Sequence, residues 1–160
     1  MSGQAYKGLT FTPLAEQYIE DVLSIEQEAY VEAWTRGMFH QEIRSLMSHF
    51  YVAHLGDTLI GYVGLWKVME EGHITSVTVR HDYRGRGYGR ALVSFILDTA
   101  SSLGLEEATL EVRESNSTAI HLYESMGFTQ TGRRKGYYAK TNEDAIVMAR
   151  PLEPATTTTL

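Results

Sequence analysis

Residues 77–92 read VTVRHDYRGRGYGRAL, a β-branched run that passes through alternating arginines and glycines into an apolar helical pattern. Val77, Thr78 and Val79 close a strand and Ala91 and Leu92 open a helix, so the stretch predicts a strand-turn-helix unit. Gly85, Gly87 and Gly89 permit positive φ and let a ligand approach the main chain closely. The helix N-terminus offers unpaired N–H donors and the positive end of the dipole, and Arg84, Arg86 and Arg90 add cationic forks around Tyr88. Together these features predict a cradle for a pyrophosphate group.

Two nucleotide loops do not fit this spacing. A P-loop needs Gly-Lys-Ser/Thr at its end, and no lysine follows these glycines. A dinucleotide loop needs Gly-x-Gly-x-x-Gly, and the residue three positions beyond Gly89 is Leu92.

Downstream, residues 110–128 read LEVRESNSTAIHLYESMGF. In a strand over Ala108 to Val112, Leu110 and Val112 share one face and Glu111 takes the other. A carboxylate in a central strand is costly to bury without a purpose, so Glu111 is either functional or ion-paired with Arg113. Asn116 stands at the start of a helix over Ser117 to Met126, which Gly127 stops. Tyr123 shares a helix face with Ala119 and Ile120, which leaves a catalytic and a packed structural role both open.

Further out, Thr12-Pro13 predicts the cap and first position of a helix over Leu14 to Ala29. After Tyr30 to Trp34, Thr35 predicts the cap of a second helix carrying Phe39, Ile43, Leu46 and Met47 inward. Phe50 to Leu55, Thr58 to Val68 and His73 to Val79 predict an antiparallel meander, with turns at Gly56-Asp57 and Glu71-Gly72. A helix over Ala91 to Leu103 ends at Gly104, and Phe128 to Thr131 and Ala145 to Ala149 are closing strands. The pattern is mixed α/β with α+β character, expected as one domain over residues 1–153 and a disordered tail over 154–160.

Composition narrows the chemistry. The 160 residues carry a formal net charge of −6, which argues against direct nucleic-acid binding, since phosphate neutralisation needs a basic surface. No apolar run reaches the ~20 residues of a membrane span, and Met1 to Gly8 do not read as a signal peptide. The absence of cysteine removes disulfides and thiolate chemistry and fits a reducing cytoplasm. The six histidines form no pair at metal-ligand spacing, so no metal is expected, and His54, His73 and His121 read as structural or surface residues.

Arg84-x-x-Gly87-x-Gly89 behind Val77-Thr78-Val79, joined to the Leu110 to Phe128 segment, resembles the GNAT superfamily of N-acetyltransferases. From Phe11 to Leu152 the chain is most similar to the ribosomal-protein-alanine N-acetyltransferases of RimI type and the related archaeal N-terminal acetyltransferases. The resemblance implies the GNAT fold: a central, mostly antiparallel sheet splayed at the acetyl-coenzyme A site and flanked by about four helices. It implies acetyl-coenzyme A as cosubstrate, held by Val77 to Val79, Gly85 to Arg90 and Asn116. It also implies Glu111 as general base and Tyr123 as general acid. Tyr30, Trp34, Tyr137 and Tyr138 match the aromatic lining of the family's peptide entrance, although Ala33 replaces the usual proline before Trp34. The implied acceptor is a protein or peptide N-terminus, a ribosomal protein among the candidates. A GNAT enzyme for lysine or small amines, and a non-catalytic acetyl-coenzyme A-binding regulator, are the alternatives.

Overall fold

The computed structural model describes residues 6–153, so the expectation of a disordered tail lies outside the described residues. Seven strands form one sheet in the order β1-β2-β3-β4-β5-β7-β6. They are β1 (Thr10–Pro13), β2 (Ser48–Leu55), β3 (Thr58–Val68), β4 (Glu71–Val79), β5 (Glu107–Arg113), β6 (Thr129–Tyr138) and β7 (Glu143–Pro151). The helices are α1 (Ile19–Ala29), α2 (Arg36–Arg44), α3 (Tyr88–Ser102) and α4 (Ser117–Ser125). All strand pairings are antiparallel except β4 with β5. One mostly antiparallel sheet flanked by four helices is the architecture that the resemblance implies. Among the described residues no helix is long and apolar enough to cross a membrane.

The sheet is covered on both faces. Val22, Phe39, Phe50 and Tyr62 pack one core with α1 and α2, while Ile60, Leu92, Ile96, Leu110, Phe128 and Met148 pack a second core with α3. Strand β3 is buried from Leu59 to Leu65, which is why it reads as a continuous apolar run without alternation.

Local departures from the sequence expectations have physical causes. Thr12 and Pro13 do not start a helix: they belong to β1, paired with Val52 and Tyr51. Proline is tolerated there because β1 is an edge strand, and Phe11 anchors it by stacking on Phe95 at 3.9 Å. A short 3-10 turn, Glu16–Tyr18, leads into α1 instead. Thr35 caps α2 as expected, its hydroxyl accepting from the Met38 N–H at 3.2 Å. That helix ends at Arg44, so Leu46 falls beyond it and is 98% exposed rather than packed. The turn expected at Glu71-Gly72 lies two residues earlier, and Gly72 is buried in β4, where a Cβ would stand 3.0 Å from Leu105. Helix α3 begins at Tyr88, which draws Gly89 and Arg90 out of the loop and into its first turn.

Gly61 and Gly37 mark opposite responses to an added methyl. A Cβ at Gly61 would stand 2.5 Å from the main-chain oxygen of Thr78, so Gly61→Ala must displace β4. It should cost about 1–3 kcal/mol. At roughly 2–4 °C per kcal/mol, thermal melting should fall by several degrees. Gly37 lies inside α2 with only the Thr35 hydroxyl within 4 Å of an added Cβ, so Gly37→Ala should raise stability by about 0.4–1 kcal/mol. Thermal denaturation of both variants checks the pair, and equal melting temperatures would contradict the packing described.

Candidate active site

β4 and β5 stay together for only three residue pairs, Glu71–His73 against Glu107–Thr109. Beyond them β4 follows β3 and β5 follows β7, so the sheet opens into a cleft between residues 74–79 and 110–113. A register shift opposite Gly64 and Leu65 leaves Thr75 without a partner on β3, and such a bulge adds bend and twist where the strands part.

The cleft edge of β4 is polar for a reason set by register. Arg80 N–H donates to the Ile60 carbonyl at 2.7 Å across the Gly61–Val79 pair, which makes that pair a non-hydrogen-bonded one. Val79, and Val77 two residues before it, therefore turn their N–H and C=O groups away from β3 and into the cleft. The Val79 carbonyl accepts from Arg84 Nε at 2.9 Å and the Val77 carbonyl from the Tyr30 hydroxyl at 3.3 Å.

At the end of β4, Gly85 and Gly87 adopt φ of 75° and 87°, and Gly87 caps α3. The N–H groups of the first turn have no carbonyl behind them within the helix. The three arginines are placed differently from a simple cationic ring. Arg84 folds back onto β4, Arg86 lies 5.4 Å from the centre of the Tyr83 ring, and Arg90 donates to the Ser125 hydroxyl on α4 at 2.6 Å.

A cavity of about 250 Å³ occupies the cleft, and it brings together Tyr30, Trp34, Val77, Glu111, Asn116, Tyr123 and Tyr138. Tyr137 is not among its walls: it is half exposed, with Arg134 5.5 Å from its ring centre. Asn116 caps α4, accepting from the Ala119 N–H at 3.1 Å, and also faces the cavity. A larger groove of about 400 Å³ flanks the loop between α1 and residues 80–84, where Asp21, Glu28, Asp57 and Asp82 oppose Arg80 and Arg84. Glu111 and Tyr123 both line the smaller cavity.

Glu111 projects from β5 opposite Leu110 and Val112, as the alternation predicts. Its partner is not Arg113. Glu111 Oε1 lies 2.7 Å from His73 Nε2, and its other oxygen lies 3.7 Å from Arg134 Nε. An ionised carboxylate only accepts, so the ring nitrogen donates. That bond holds the Glu111 carboxyl below its ordinary value despite burial, with the charges of His73 and Arg134 assisting. Tyr123 is buried edge-to-face against Phe128 at 5.6 Å, and burial pushes its hydroxyl well above the ordinary phenol value. A phenol so placed keeps its proton at neutral pH.

Arg113 serves the cavity's rim. It pairs with Glu32 from the α1–α2 loop and with Glu143 on β7 at 3.3 Å, and it lies 4.0 Å over the Tyr138 ring. Glu32 also accepts from the Lys140 N–H at 3.1 Å, which ties the α1–α2 loop to the β6–β7 turn. On the other wall, the buried Glu26 accepts from the Tyr62 hydroxyl at 2.6 Å and the Trp34 N–H at 3.0 Å. Desolvation raises the Glu26 carboxyl even against those two bonds. Sequence reasoning missed His73, Glu26 and Glu32. His73 meets Glu111 only through the parallel register, which no local pattern encodes.

Comparison with known proteins identifies the family of this fold. Residues 19–128 match the Acetyltransferase (GNAT) family. The [ribosomal protein bS18]-alanine N-acetyltransferase of Escherichia coli K12 is 35% identical over 130 residues, covering 80% of this chain and 87% of that protein. N-alpha-acetyltransferase RimI of Mycobacterium tuberculosis is 35% identical over 132 residues, covering 79% and 82%. The crystal structure of the Escherichia coli ribosomal-protein-S18-alanine N-acetyltransferase superimposes with a TM-score of 0.84 at 29% identity, over 95% of this chain and 99% of that one. Ard1 from Thermoplasma volcanium gives 0.83 at 26% identity, over 91% and 99%. The chain belongs to the acetyltransferase (GNAT) family and is an acetyl-CoA-dependent N-acetyltransferase.

Proposed function

We propose that the protein acetylates the α-amino group of a protein N-terminus, with an N-terminal alanine of a ribosomal protein as the acceptor its relatives' names indicate. The observation that carries this reading is the shared cavity: Glu111 and Tyr123 face the same space as Tyr30, Trp34 and Tyr138, beside the polar edge of β4. The chain through residue 153 then works as one catalytic domain in the cytoplasm, without a direct role for nucleic acid.

The cleft fits the cosubstrate. Val77 and Val79 offer strand-like donors and acceptors to the amides of a pantetheine arm, and Gly87 at φ 87° leaves the α3 amides open to phosphate oxygens. In the reaction, Glu111 takes a proton from the acceptor ammonium, directly or through water. Its Oε2 is suited to this, because Arg134 at 3.7 Å lies beyond hydrogen-bond reach. His73 holds the other oxygen and fixes the carboxylate's direction. An N–H on the cleft edge of β4 polarises the thioester carbonyl, and Tyr123 returns a proton to the departing sulfur.

The electrostatics favour an α-amine. A Glu111 held below the ordinary carboxyl range is a weak base, and it suits an acceptor that deprotonates readily. An α-amino group titrates near 7.7–8.0 and a lysine near 10.4, so the neutral α-amine is several hundred-fold more abundant at pH 7, worth roughly 3–4 kcal/mol. Peptides with a free α-amine should therefore be acetylated there, while peptides with a blocked N-terminus and an internal lysine react poorly. Mass-spectrometric mapping of the acetyl group checks this, and faster reaction at lysine would reassign the acceptor.

Glu111→Gln should lower kcat by about 10²–10⁴-fold. That defect should shrink above pH ~8, where solvent deprotonates the α-amine. Tyr123→Phe should keep its deficit, since alkaline medium does not replace an acid. Single-turnover rates across pH separate the two, and wild-type rates in Glu111→Gln would reduce Glu111 to a structural partner of His73.

The His73 bond makes a further prediction for Glu111. Its folded pKa is depressed, so the stability it contributes is present above the unfolded value of about 4.3 and is lost as pH falls through the lower folded value. His73→Leu removes the largest lowering cause and leaves burial opposed only by Arg134. The Glu111 titration, followed by ¹³C NMR of its carboxyl carbon, should move upward past the ordinary carboxyl value. An unmoved midpoint would show that His73 does not set it.

A further inference from the structure

We infer that Lys7 is a further phosphate-binding residue, carried over the glycine loop by the turn at residues 6–9. The inference rests on the reading that this loop holds the phosphates of coenzyme A. The Lys7 Cδ, Cε and Nζ atoms stand 3.3, 3.4 and 3.7 Å from the position a Cβ at Gly87 would take, and Nζ lies 5.8 Å from the centre of the Tyr88 ring. The ammonium is therefore poised at the first turn of α3, where the unpaired amides point.

Competition for the nearby cations makes Lys7 matter. Arg84 is bonded to the Val79 carbonyl, Arg86 rests on Tyr83 and Arg90 reaches Ser125. Lys7 forms no ion pair with a carboxylate among the described residues. Coenzyme A brings a pyrophosphate and a 3′-phosphate to a chain of formal net charge −6, and each added cation at the loop lowers that repulsion.

The turn is built to hold the lysine there. Tyr6 donates its hydroxyl to Asp98 on α3 at 2.7 Å and packs edge-on against Phe11 and Phe95 at 5.6 and 5.5 Å. The Leu9 N–H closes the turn on the Tyr6 carbonyl at 3.1 Å, and the Leu9 side chain is buried. Between these two anchors Lys7 takes φ of 56° and Gly8 φ of 81°. Left-handed backbone is uncommon for a residue with a Cβ, and here it aims the side chain back along α3 toward the loop. Anchor and target sit on one helix, so the spacing between Lys7 and Gly87 does not depend on a hinge.

Calorimetric titration with coenzyme A tests the assignment without turnover. Lys7→Met keeps the aliphatic length and removes the charge, and it should raise Kd for coenzyme A by about three- to tenfold, the range for a solvent-accessible charged contact. Lys7→Arg should restore most of the affinity. Pantetheine, which lacks phosphate, should bind wild type and Lys7→Met alike. A deficit that persists with dephospho-coenzyme A places the contact at the pyrophosphate, and one seen only with coenzyme A places it at the 3′-phosphate. Unchanged or tighter binding of coenzyme A by Lys7→Met overturns the inference and makes the lysine a packing residue on Gly87. Failure of the wild type itself to bind coenzyme A would instead overturn the reading of the loop. Melting temperatures of the unliganded variants control for folding.

Discussion

Three residue pairs between β4 and β5 are the constraint on which the site depends. Parallel strands normally continue side by side until both end, and here they part after Glu71–His73 because each is held by its other neighbour. β4 has eight paired positions with β3, and β5 has seven with β7. The shared edge is weaker than either, so the sheet opens beside the bend introduced at Thr75. The opened edge exposes main-chain donors and acceptors that an ordinary sheet would consume. Those groups are costly to leave dry and ready to pair with an extended ligand.

The same parting sets where Glu111 and Tyr123 stand. Glu111 lies two residues past the last position of β5 paired with β4, near enough for His73 of β4 to reach its carboxylate and far enough for a cavity to begin. Had the strands stayed paired, a neighbouring side chain would fill that space. Tyr123 enters from α4, the helix that immediately follows β5, so the phenol and the carboxylate come from one short segment of chain. Their environments push them in opposite directions: a donated hydrogen bond keeps Glu111 ionised, and burial keeps Tyr123 protonated.

What the sequence made legible follows from range. The glycine-arginine run, the alternation around Glu111 and the caps at Thr35 and Asn116 are local patterns, and the structure keeps them. Thr12-Pro13 misled because a cap signal and an edge strand share residue types, and only the pairing with Val52 and Tyr51 decides between them. Leu46 fits a helical stripe on paper, but the chain leaves the helix at Arg44 before reaching it. His73, Glu26, Glu32 and Lys7 meet residues 38, 36, 81 and 80 positions away, namely Glu111, Tyr62, Arg113 and Gly87. No window along the chain contains both members of such a pair.

The rim of the cavity shows why those distant contacts belong to the site. The α1–α2 loop carries Tyr30, Glu32 and Trp34, and such a loop would ordinarily be mobile. Here it is held at three points: Tyr30 to Thr78 at 2.7 Å, the Trp34 N–H to Glu26, and Glu32 to Arg113 and Lys140. Each tie reaches a different partner, so the loop is fixed in orientation as well as in position. Two of the ties use carboxylates that are partly or wholly withdrawn from water, where breaking a partner is more costly than at the surface. The aromatic rings at the mouth are thus presented by a scaffold that already spent its polar groups on positioning. The cavity thus has a fixed wall on the α1–α2 side, Tyr138 under Arg113 on the other, and the carboxylate of Glu111 between them.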